Sequence, residues 1–180
     1  EPLPEAPKAV VMRDHRTVRA VCSDGVVRDL DLGRGRWEPL AGGALGSLTV
    51  AGFTPDGRAV ASLHGAVLAI TELDTGARLE IGSSESHSGR TVRAVWSADA
   101  TRLAVVGADV VRVYTRAGAL EAQLPIHTRE YAKVTWYAPD RFVVLSGVQD
   151  VYDCVLEDGF IRSTTHRCPS TVDPIHSGGR

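Results

Sequence analysis

Residues 91–124, TVRAVWSADATRLAVVGADVVRVYTRAGALEAQL, decide the fold. The stretch divides into TVRAVW, TRLAVVG, VVRVYT and ALEAQL, runs of six or seven residues rich in Val, Ala and Leu, separated by polar or Gly-containing steps. β-Branched side chains lose rotamer freedom in a helix but pack well on a pleated strand. No window of about 11 residues or more carries an apolar stripe at helical spacing. The stretch therefore reads as four short antiparallel strands joined by tight turns.

The same unit recurs along the chain. A large apolar residue closes the first run each time, at Met12, Phe53, Trp96 and Trp136, with intervals of 41, 43 and 40 residues. An Asp-led turn follows at Asp14, Asp56, Asp99 and Asp140. A Gly marks the last turn of each unit, at Gly35, Gly76, Gly118 and Gly159, with intervals of 41, 42 and 41. Two markers at one period indicate a repeat architecture, and four strands in a unit of this length are the blade of a β-propeller. The expected fold is thus all-β, an array of four blades at 8–40, 47–82, 91–125 and 131–163. Residues 1–7 read as a Pro-rich linker and 164–180 as a C-terminal tail. The shared register assigns Met12, Phe53, Trp96 and Trp136 to the core between blades.

With these residues in place, the units resemble WD-repeat blades. His87 lies nine residues ahead of Trp96, and His127 nine ahead of Trp136, as in that family. SDGVVRDLDLGRG, residues 23–35, resembles the family's Asp-Gly to Trp-Asp strand, with Leu30 in the Trp position and Asp31 matching the Asp. Tyr114 takes the Trp position in the third unit. The resemblance implies a structural turn network of Asp24, Asp31, His87, Asp109 and His127. It departs from the family where Ser86 and Ile126 replace the Gly before the His, and where His64 stands in the second unit's Asp position. WD-type rings usually have more blades than four, so the array is expected to be an incomplete propeller that leaves two blade faces open. Those faces would be covered by further blades or by self-association.

Composition narrows the function. The 180 residues carry a formal charge of −2 and are 43% hydrophobic, which is globular and gives no bulk attraction to nucleic acid or anionic lipid. No apolar run approaches the roughly 20 residues of a membrane helix, so no membrane insertion is expected. Eighteen of the 20 cations are Arg, with Lys only at Lys8 and Lys133, a bias expected of a GC-rich and bacterial source. The chain begins with Glu1, and an upstream segment could have been removed, so the compartment stays open, with the cytoplasm favoured over secretion.

The six histidines show no HxH or HExxH spacing, and no metal or cofactor is expected. Neither a GxSxG elbow nor a P-loop is present, so catalytic residues are not expected either. Cys154 and Cys168 are a disulfide candidate, with free thiols as the default. Trp37, off the register of the other aromatics, is expected to be exposed. Together with His64, Arg90, Arg93 and Arg129 it forms the set of possible rim-binding residues, suited to an acidic peptide. The functional expectation is a non-catalytic scaffold or regulatory module with a protein or peptide partner. The alternative is a ligand-sensing or enzymatic propeller whose channel site is completed by missing blades or another chain.

Overall fold

The computed structural model describes residues 6–46, 48, 50–64, 67–82, 93–107, 109–126, 132–146 and 150–167. These form sixteen strands in four antiparallel sheets, with no helix among the described residues. The first sheet comprises β1 (Pro7–Met12), β2 (Thr17–Cys22), β3 (Val26–Asp31) and β4 (Arg36–Ala44). The second holds β5 (Val50–Phe53), β6 (Ala59–His64), β7 (Val67–Glu72) and β8 (Arg78–Gly82). In the third are β9 (Arg93–Trp96), β10 (Arg102–Val106), β11 (Val110–Thr115) and β12 (Leu120–Pro125). The fourth runs through β13 (Ala132–Ala138), β14 (Arg141–Ser146), β15 (Asp150–Glu157) and β16 (Phe160–Arg167). Strand order follows chain order in every sheet. The outer sheets extend beyond the expected blade limits. β4 reaches Ala44 past a bulge, and the β15–β16 pairing continues to Arg167, four residues into the expected tail.

Both sequence markers have a backbone cause. Gly35, Gly76, Gly118 and Gly159 each sit in the hairpin between a blade's third and fourth strands, all at φ between 64° and 83°, where a Cβ is strained. The tightest is the two-residue Asp158-Gly159 turn, with both residues at positive φ, the geometry that matches strand twist. In the first three units the Asp closes the turn between the first and second strands. Arg16 N donates to Asp14 at 2.8 Å, Arg58 N to Asp56 at 3.0 Å and Thr101 N to Asp99 at 3.2 Å.

The blades stack in chain order. Their first strands are innermost and touch in the sequence β1, β5, β9, β13. Three apolar cores fill the three gaps. Val21, Val27 and Leu45 meet Val60 and Leu73 between the first and second blades. Ile70 and Ile81 meet Trp96, Leu103 and Tyr114 between the second and third. Val106 and Val113 meet Phe142, Val144 and Cys154 between the third and fourth. Such a chain of nearest-neighbour interfaces is the energetic plan of repeat proteins. The sheets do not close into a ring, and the structure is that of an incomplete propeller.

At the innermost radius each blade is fastened to the one before it. The Trp96 indole donates to the Gly52 carbonyl, and the Trp136 indole to the Val95 carbonyl, both at 3.0 Å. Close approach explains Gly52 itself, since a Cβ there would lie 2.3 Å from the Ala94 carbonyl oxygen. Between the first and second blades the fastening is different. Arg19, only 1% exposed, donates to both Asp29 oxygens at 2.7 and 2.8 Å and to the Gly57 carbonyl at 2.5 Å. A buried guanidinium is tolerated only when its donors are engaged in this way.

The structure corrects the expectation for Met12. Met12 is not core. It is 53% exposed, because its register position points away from the second blade, to a face on which no described blade packs. Cys154 carries a free thiol, completely buried in the core between the third and fourth blades, and its Sγ lies 3.7 Å from the Tyr152 carbonyl. Burial pushes the thiol up to about 12. Cys168, the proposed partner, lies outside the described residues.

Candidate functional site

The four innermost strands form the concave side of the arc. A cleft of about 550 Å³ runs along β1, β5 and β9, lined by Lys8, Val10, Phe53, Arg93 and Val95 among others. Lys8 and Arg93 are exposed on it, and Lys133 is exposed on neighbouring β13. Arg93 precedes Trp96 by three residues and Lys133 precedes Trp136 by three, so the two cations occupy equivalent positions. Lys8 falls at the same level, displaced by the irregularity in pairing between Pro7 and Ala9. All three therefore lie where the inner strands begin, at one end of the concave surface.

Charge is distributed radially. PKAVVM, VAGF, RAVW and AKVTWYA, the four inner strands, contain three cations and no carboxylate. Strand carboxylates sit on the outer strands, for example Asp29 on β3, Glu72 on β7, Glu121 on β12 and Asp153 on β15. Many arginines elsewhere are engaged with these acids. Arg28 pairs with Asp24 at 2.6 Å, Arg102 with Glu121 at 2.8 Å, and Arg116 of the third blade with Glu72 of the second at 2.7 Å. Among the described residues no carboxylate lies within ion-pair distance of Lys8, Arg93 or Lys133.

A larger hollow of about 670 Å³ lies on the third blade's turns, lined by Asp99, Arg102, Arg116 and Glu121. It is the weaker candidate, because Arg102 and Arg116 are each held by both oxygens of a glutamate. Its Asp99 belongs to the turn scaffold. The Ser97 hydroxyl, donating at 2.6 Å, holds the Asp99 carboxyl below the usual range. Asp14 is lowered by the Arg16 amide. At Asp56 burial pushes upward but is outweighed by the Thr54 hydroxyl and the Arg58 amide.

The sequence-derived residues fall as follows. Asp24 lies in the turn between β2 and β3, accepts from Val26 N at 2.9 Å, and pairs with Arg28, which holds its carboxyl low. Asp31 ends β3 and accepts from Gly33 N at 2.7 Å. Asp109 lies between β10 and β11, where its carbonyl accepts from Ile126 N at 2.9 Å. Phe53 is partly buried against the first core, Trp96 is 4% exposed, and Trp136 packs on the third core with its ring centroid 4.8 Å from that of Phe142.

His64 ends β6, with Nε2 2.7 Å from the Ser62 hydroxyl. Trp37 is half-buried rather than exposed, near the start of β4, the outermost strand, where it pairs with Leu30. His87, His127, Arg90 and Arg129 lie outside the described residues. Sequence reasoning missed Lys8 and Lys133. Their signal was available, as the only two lysines both stand just ahead of a register residue.

No protein-family model matches the sequence, and no curated protein matches it. Solved structures match the fold. The WD40 domain of Toxoplasma gondii coronin superposes with a TM-score of 0.65 at 15% identity, over 86% of this chain and 43% of that one. U3-55K matches with a TM-score of 0.64 at 14% identity, over 92% and 53%. Kluyveromyces lactis Hsv2 matches with a TM-score of 0.64 at 11% identity, over 89% and 62%. This chain spans less than two thirds of each of those chains. Its fold is that of four consecutive WD40-type β-propeller blades, forming part of a ring.

Proposed function

We propose that this chain is a non-catalytic interaction module whose concave inner surface and adjoining loops take a protein partner. One observation carries the reading: the inner strands present exposed cations with no carboxylate partner among the described residues, on a scaffold where many other arginines are paired with acids. Rigid blades hold such side chains at fixed spacing, so little ordering entropy is lost when a partner binds. The likeness to a WD40 domain supports the fold, while the role is argued from the surface. The test is affinity capture with the folded chain, followed by crosslinking and mass spectrometry. Specific proteins crosslinked through inner-strand residues are expected. Retention of nothing beyond what a denatured control retains contradicts the reading.

A further inference from the structure

The partner's chemistry can be taken further, resting on the reading of this chain as an interaction module. We infer that the concave surface binds an extended acidic segment of a protein partner, with Lys8, Arg93 and Lys133 receiving its carboxylates. The three cations occupy three of the four inner strands, Lys8 two strands from Arg93 and Lys133 on the strand next to it. A compact anion would meet one or two of them, whereas a segment laid across the strands meets all three. No carboxylate on β1, β5, β9 or β13 competes for these cations. A concave wall lined with one sign of charge focuses its field on the opening. Further along the same strands the cleft is lined by Val10, Phe53 and Val95, which favours a segment carrying apolar as well as acidic side chains.

Nucleic acid fits less well. Its binders neutralise many phosphates, and here three cations face a chain of net charge −2 with acids on its outer strands.

The experiment titrates the full chain by fluorescence anisotropy with a labelled peptide of alternating Glu and Leu. Its Lys and Leu counterpart and a single-stranded oligonucleotide are run alongside. The Glu and Leu peptide is expected to bind, more weakly as ionic strength rises, and the Lys and Leu peptide to fail. Reversing all three charges with Lys8→Glu, Arg93→Glu and Lys133→Glu is expected to weaken binding about tenfold or more, as three exposed ion pairs are replaced by repulsion. Arg162→Glu, on outer strand β16, leaves binding unchanged. Should the triple variant lose its fold by circular dichroism, the single changes to Gln are measured instead, each with a smaller loss.

Undiminished binding by the folded variants overturns the inference, as does equal binding of the Lys and Leu peptide. Tighter binding of the oligonucleotide through the same residues also overturns it. The two readings fail separately. Partners captured equally by wild type and triple variant leave the interaction module standing without this site. Peptide binding with no captured protein leaves the site and removes the module.

Discussion

Met12 and Trp96 hold the same position in their blades, at the end of the innermost strand, yet one is 53% exposed and the other 4%. Trp96 has the second blade beneath it and reaches the Gly52 carbonyl. Met12, with Val10 at 55% exposure beside it, faces solvent. The repeat period thus fixes which way a side chain points, while burial depends on whether a neighbour stands there. Where a described blade stands beneath, the position is aromatic, as Phe53, Trp96 and Trp136, and only the two tryptophans add a hydrogen bond.

The comparison breaks most visibly by truncation. Trp96→Ala is expected to cost about 3–5 kcal/mol, because it removes a filled interface and an indole hydrogen bond. Met12→Ala stays within about 0.5 kcal/mol, as expected of an exposed site. Urea denaturation of both variants measures the contrast, and equal losses would mean that the first blade's free face is covered in solution. Arg19→Ala is expected to cost about 3–5 kcal/mol, since it leaves the Gly57 carbonyl without its donor and Asp29 with Arg13 alone at 3.5 Å. The half-exposed pair between Arg116 and Glu72 spans the next interface, and Arg116→Ala should cost under about 1 kcal/mol in the same assay.

Acid sharpens the comparison from another side. Asp14, Asp56 and Asp99 all have folded pKa values lowered from 3.8. Their contribution is complete above the unfolded value and is lost as pH falls through the folded ones, so stability declines below about pH 4. Asp99→Asn should flatten that decline in a pH series of melting temperatures. The smallest effect is local: amide exchange in β1 is expected to outpace that in β5 and β9, read by hydrogen exchange mass spectrometry.

The turns were the legible part of the sequence, because Asp at the first hairpin of three units and Gly at the third hairpin of all four answer local backbone demands. The inner-strand register was legible for the same reason. What neighbours a blade is not a local property, so Met12 read as core and Trp37 as exposed. Nothing in the sequence sets Arg19 apart from other strand arginines, and only the packing of β2 against the second blade's turn reveals it as a buried tie. The concave site was half legible: Arg93 stood out, while Lys8 and Lys133 gain meaning only once β1 and β13 are known to share an inner wall.

The indole bonds give the array a direction. Each donor belongs to the later blade and each acceptor to the earlier, so detaching the fourth blade carries its Trp136 away and leaves the Val95 carbonyl for water to solvate. Detaching the second blade from the third would instead strand the Trp96 N–H on a newly bared surface. Arg19 runs the other way, donated by the first blade to the Gly57 carbonyl of the second, so each end blade takes its donor with it as it frays, and only a break between the second and third blades bares the Trp96 indole on a blade that stays folded.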